Sequence, residues 1–98
     1  MIAYKLFRQM KDGSVAPLFI NKKLRLQTGV WYESELHVTK GFKARKGWHC
    51  CPKPHAPHLS MNGRVWKKVE LSGIIFKEMR PLSQGGEWYL AEKMRVIE

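Results

Sequence analysis

The densest chemistry in the chain is the run GWHCCPKPHAPHLS at residues 47–60, which holds both cysteines and three of the four histidines. His49, Cys51, His55 and His58 are all zinc-ligand types. Structural zinc sites, however, join ligand pairs from separate elements across a loop, and these candidates are crowded into one short stretch. Adjacent cysteines on an extended backbone point to opposite faces, so Cys50 and Cys51 are badly placed to share one ion. The expectation is no resident metal, with a zinc-binding interaction module kept as an alternative. A nucleophilic pair, Cys50 or Cys51 beside His55 or His58, is the second reading, because basic surroundings lower a thiol pKa. No residue nearby supplies the third, orienting group. The third reading is a stiff ligand-binding loop. Pro52, Pro54 and Pro57 fix the backbone in advance, and Trp48, His49, His55 and His58 can stack on a base or donate to a phosphate.

The charge pattern favours that third reading. The chain has 98 residues, 18 Lys plus Arg against 8 Asp plus Glu, and a formal charge of +10. Residues 36–68 carry eight of the cations and no carboxylate. Lys43, Arg45, Lys46 and Lys53 surround the proline segment, and Arg64, Lys67 and Lys68 follow it. Basic residues interleaved with aromatic ones suit a surface that neutralises phosphates and stacks bases. The competing explanation is an ordinary solvated face, with Trp48 and Trp66 in the core.

The elements that must position these residues read mostly as strands. Tyr4, Leu6 and Arg8 alternate with Lys5 and Phe7. Asp12-Gly13 marks a tight hairpin, with residues 15–20 as the return strand and Pro17 placing it at an edge. Residues 21–23 turn again. Leu24 and Leu26, then Val30-Trp31-Tyr32, read as the arms of a hairpin about Thr28-Gly29. Three prolines within 52–57 forbid a helix or central strand there. Asn62-Gly63 is a turn pair. In RVWKKVEL, Val65, Lys67, Val69 and Leu71 share one face, and Trp66, Lys68 and Glu70 the other. Ile74-Ile75-Phe76 follows Gly73 as a short apolar run. Residues 87–97 read as a strand with Trp88, Leu90, Met94 and Val96 on one face. The predicted fold is a compact single domain over 1–98, mainly antiparallel β with long loops and at most one or two short helices.

Several classes fall away. No apolar stretch approaches the roughly 20 residues of a membrane helix. The early charges do not suit a secretory signal, and two adjacent cysteines are not a disulfide framework, so a cytoplasmic, reduced protein is expected. There is no phosphate-cradling glycine loop, HExxH or GxSxG, and neither Glu70 nor Glu78 forms an acid–base pair with another carboxylate. No catalytic residue and no cofactor is therefore assigned, and no oligomeric state is fixed.

GWHC, APHLS and GRVWKKVE, together with YKLFR and the KDGS turn, resemble small proteins of bacteriophages and prophages, notably of gut bacteria. That resemblance implies a protein made in the cytoplasm of an infected host. Proteins of that class and size often counter host defence, by binding a defence complex or by sequestering a nucleotide signal. A second resemblance is to the ADP-ribosyltransferase-like fold, through Gly47-Trp48-His49-Cys50 and the strand from Arg64 to Gly73. It implies an NAD-using enzyme with Arg8, His49 and Glu70 as its triad. The expectation carried forward is a non-enzymatic binding protein for an anionic partner: a nucleic acid, a nucleotide-derived signal or an acidic ribonucleoprotein surface.

Overall fold

The computed structural model describes residues 1–18, 24–34, 36–38 and 44–97, with 36–38 and 44–46 described by backbone alone. The strands are β1 (Ile2–Gln9), β2 (Val15–Ala16), β3 (Trp31–Glu33), β4 (Leu36–Val38), β5 (Ala44–Lys46), β6 (Trp48–Cys50), β7 (Arg64–Met79) and β8 (Glu87–Val96). Among the described residues, the single helical element is a 3-10 turn at Leu82–Gln84. The fold is thus mainly antiparallel β, as the sequence pattern predicts.

Local chemistry sets the first hairpin. Asp12 Oδ1 accepts from the Ser14 amide at 3.0 Å and its hydroxyl at 2.6 Å, and Gly13 supplies the positive φ of 87°. β1 then pairs with β2, Arg8 opposite Ala16 and Gln9 opposite Val15. The return strand is shorter than predicted. It ends at Ala16 because Pro17 has no amide to continue the ladder. Residues 19–23, including the predicted turn at 21–23, lie outside the described residues.

The main sheet runs β2-β1-β7-β8-β3, with β6 also on β8. β3 takes residues 93–95 of β8 and β6 takes 89–91, while β7 covers the opposite edge. Cys51 then bridges β1: its amide donates to Tyr4 O at 2.7 Å and the Tyr4 amide donates back at 2.8 Å. The sheet therefore returns to its own first strand, β1–β7–β8–β6–β1, as a small barrel. β4 and β5 form a separate two-stranded hairpin between β3 and β6. The predicted hairpin about Thr28-Gly29 does not form. Leu26 bridges Val15 instead, where it is buried, and β3 gains a hydrogen-bonded ladder with β8.

The barrel interior holds Ala3, Phe7, Cys50, Val69, Leu71, Ala91, Met94 and Val96, with Val15 and Leu26 closing one end. Burying side chains of this size contributes roughly 1.5–3 kcal/mol each. The predicted faces of residues 64–71 are observed: Val69 and Leu71 are buried inside, and Trp66 packs on the other side. The strand does not stop at Gly73, however. Gly73 adopts φ 75° within a bulge, where a Cβ would sit 3.0 Å from Glu92 Cβ, and β7 continues for 16 residues to Met79.

β8 breaks its own alternation. Tyr89 and Ala91 face the interior core, as do Met94 and Val96, while Trp88 belongs to a second cluster and Leu90 is half-buried. The phase changes at Glu92-Lys93, opposite the bulge. The predicted single face of Trp88, Leu90, Met94 and Val96 is corrected accordingly. The second cluster lies outside the barrel, where Cys51, Ala56 and Trp88 pack with Leu59 and Trp66 beneath the proline segment.

Candidate functional site

The N-terminal half of β7 lies against β1 in a register that opposes like charges. Arg8 faces Arg64, Lys5 faces Lys67, and Tyr4 faces Lys68. Neither β1 nor residues 64–69 contain an Asp or Glu. Directly opposed like charges destabilise a strand pair, by roughly 0.2–1 kcal/mol each. Alternation puts Arg8, Arg64, Tyr4 and Lys68 on the outer face, and Lys5 and Lys67 on the face that carries Ala3, Phe7 and Val69. The strand pair is cationic on both faces.

Lys5 is the most unusual of these. Its neighbours on the inner face, Ala3 and Phe7, are fully buried. Its ammonium donates to His49 O at 2.8 Å and lies 5.8 Å from the Phe7 ring centroid and 6.0 Å from that of Trp48. Burial among these groups lowers its pKa, opposed by the nearby Cys50 and Cys51 thiols. The chain therefore places a lysine where water is scarce and hydrophobic side chains surround its stem.

The proline segment is pinned down rather than projecting. Ala56 is buried and Leu59 half-buried. Trp88 donates from Nε1 to Gln84 O at 2.7 Å, takes the Arg80 guanidinium over its ring at 4.6 Å, and meets the His58 ring edge-on at 6.0 Å. Gly85 completes the contact. With φ 95°, it brings the chain so close that a Cβ would lie 2.9 Å from His55 O. Lys53, His55 and His58 are exposed on the outer surface of this segment. Arg64 Nη1 reaches back to Ser60 O at 3.1 Å, which joins the segment to the cationic strand pair.

The expected ligand-binding residues are thus divided. Arg64, Lys67 and Lys68 come together with Lys5 and Arg8. Lys53, His55 and His58 share the exposed surface of the proline segment. Trp48 and His49 are on β6, where Trp48 donates from Nε1 to Tyr32 O at 3.0 Å and is half-buried against the core. Arg45 and Lys46 belong to β5, in the separate hairpin, and Lys43 lies outside the described residues. Lys5 and Tyr4 were not singled out from the sequence. The signal for Lys5 was present, as a lysine at an i, i+2 position between Ala3 and Phe7.

The catalytic arrangements fare differently. Cys50 and Cys51 do face opposite sides, as expected of an extended backbone, and each is buried in its own cluster. Burial pushes the Cys50 thiol up to about 12 and the Cys51 thiol up to about 11, with Lys5 opposing in each case. A nucleophile needs the reverse shift. Among the described residues, no group of three or more His, Cys, Asp and Glu comes together to hold a metal ion. His49, Cys51, His55 and His58 are spread over β6, the second cluster and the exposed surface. The triad of Arg8, His49 and Glu70 is not assembled either. Glu70 faces Ile2 while Arg8 faces Arg64, which separates them by six strand residues, roughly 20 Å. Glu70 instead pairs with Arg95, whose guanidinium covers the Trp31 ring at 4.9 Å.

No family model, no curated protein and no solved structure matches this chain. Among the described residues, no helix is long and apolar enough to cross a membrane.

Proposed function

We propose that this small β-barrel is a non-enzymatic binding protein whose β1–β7 face takes an extended polyanion, a single-stranded nucleic acid. The observation that carries the reading is the opposition of Arg8 to Arg64, with Lys68 on the same outer face, in a strand pair whose β1 and residues 64–69 hold no carboxylate. Such a register weakens the free protein, and a bound polyanion removes the penalty. On the outer face Arg8, Arg64 and Lys68 lie along the strands and do not converge on one point. That spacing suits a chain of phosphates better than a single compact nucleotide. Tyr4, paired across the strands with Lys68, supplies a stacking ring next to the cations, and the exposed His55 and His58 supply further donors on the proline segment.

Fluorescence anisotropy with a labelled single-stranded oligonucleotide tests this. Three cations on phosphates give a log–log salt slope of about −2, so affinity falls roughly twenty-fold between 50 and 200 mM salt. Arg8→Gln with Arg64→Gln flattens the slope by about two thirds. Binding that is weak and indifferent to salt refutes the reading. Thermal stabilisation by mononucleotides without oligonucleotide binding replaces it with a compact-ligand site.

A further inference from the structure

We propose that the free edge of β7 between Ser72 and Met79 is a self-association edge, to which a second copy of this chain adds its own β7, antiparallel, about a two-fold axis at Ile75. β8 occupies one edge of β7 as far as Met79. On the other edge β1 ends its pairing at Glu70, and the Leu71 amide goes to Met1 O. Beyond that point no described residue pairs with it. A strand edge of this kind presents unsatisfied amides and carbonyls ready for another strand.

The side chains beside that edge are apolar and exposed. Ile74 is 60% exposed, Phe76 64%, Met79 70% and Leu82 86%. Exposed large side chains gathered on one arm mark an interaction site. The charge pattern selects the occupant. The arm carries Lys77, Glu78, Arg80 and Glu87, which cancel, and they pair among themselves: Lys77 with Glu87 at 3.0 Å and Arg80 with Glu78 at 3.2 Å. On a chain of net charge +10, this is a neutral surface. An acidic partner is drawn to the cationic strand pair instead. A second copy meets the first arm to arm, where the two basic molecules repel least.

Self-complementarity fixes the register. With the axis at Ile75, Ile74 of each copy faces Phe76 of the other, Lys77 faces Gly73, and Glu78 faces Ser72. An axis at Phe76 would set Ile74 against Glu78, and one at Lys77 would oppose that lysine to itself. Two apolar cross-strand pairs and no like-charge pair result only from the first. This contact is isologous and closes as a dimer.

Sedimentation equilibrium on the full chain, from low to high micromolar loading at physiological salt, tests the proposal. The expected result is a rise from 11.5 kDa toward twice that mass. Phe76→Asp and, separately, Ile74→Asp remain monomeric while keeping the wild-type circular dichroism, because both positions are exposed. The double variant Ile74→Cys/Phe76→Cys forms a disulfide-linked dimer on oxidation, whereas the wild type, with Cys50 and Cys51 buried, does not. A wild type that stays at 11.5 kDa throughout overturns the proposal. So does a dimer that survives Phe76→Asp, or a double-cysteine variant that dimerises without cross-linking.

Discussion

Replacing Lys5 by Met makes the protein more stable while the lysine is charged in the folded state. The side chain lies between the buried Ala3 and Phe7, opposite Lys67, with its ammonium near the Phe7 and Trp48 rings. Met follows nearly the same path without a charge. Relief of the Lys5–Lys67 opposition contributes up to about 1 kcal/mol. Removal of a desolvated ammonium contributes on the order of 1–4 kcal/mol where buried charges are replaced by apolar groups of similar volume. Against this stands the charged hydrogen bond to His49 O, which is worth about 1.5–3 kcal/mol. A net gain of about 1 kcal/mol follows, which is roughly 4–8 °C in Tm for a domain of this size. The pH dependence gives an independent reading. Burial lowers the Lys5 pKa below 10.5 in the folded state. Between the folded value and 10.5 the unfolded chain holds the proton and the native one does not, so wild-type stability rises with pH across that window. Below the folded value the lysine is charged in both states and the penalty is complete. The advantage of the Met variant is therefore largest below that value and shrinks as pH climbs toward 10.5. Chemical denaturation of both proteins from pH 7 to 10 measures it. A Met variant less stable than wild type at pH 7, or a gap that does not change with pH, refutes the reasoning.

Three further outcomes are expected. Neither thiol reacts with a disulfide reagent in the native protein, and both react on unfolding, since burial keeps Cys50 and Cys51 protonated; rapid native labelling of either would contradict this placement. Gly85→Ala costs about 1–2 kcal/mol from its left-handed backbone alone, and more because the methyl meets His55 O at 2.9 Å. Hydrogen exchange should then quicken at Ala56 and Leu59 before it does in β1. Phe7→Ala lowers stability by about 3–5 kcal/mol, as read by denaturant midpoint, because the ring is wholly buried at the centre of the barrel.

Where a residue's neighbours in sequence decide its environment, the fold could be read directly. The alternation of Val65, Lys67, Val69 and Leu71, the Asp12-Gly13 hairpin and the opposed directions of Cys50 and Cys51 all follow from a period of two or from turn chemistry. Barrel closure was not legible in this way. Tyr4 and Cys51 join through backbone groups alone, and no side chain announces a bond across 47 residues of chain. The hairpin about Thr28-Gly29 failed for a related reason, since Leu26 and Trp31 gain more from Val15 and β8 than from each other. In the candidate site, Arg64, Lys67 and Lys68 were visible as a basic run. What the run opposes was hidden, because it depends on the register with β1. The prolines mark a stiff loop, but its anchoring is not legible, since Trp66 and Trp88 are far apart in sequence yet both pack beneath it.

β7 explains why the basic surplus and the apolar surface do not interfere with each other. A strand of 16 residues spans about 50 Å if fully extended, longer than one small barrel needs. Its first half is held by β1 and carries Arg64, Lys67 and Lys68. Its second half is held by β8 and carries Ile74, Phe76 and Met79. Gly73 stands between them, and its bulge bends the strand while Ile75 keeps the inward phase of Val69 and Leu71. A straight strand would have laid the exposed apolar residues in line with the cations, where a polyanion and a second strand would compete for one surface. Separating them lets the charged half keep a register that is unfavourable in the free protein, because the carboxylates that could relieve it, Glu78 and Glu87, are engaged on the arm by Arg80 and Lys77. The proposed polyanion would meet the cations of the first half, away from those ion pairs.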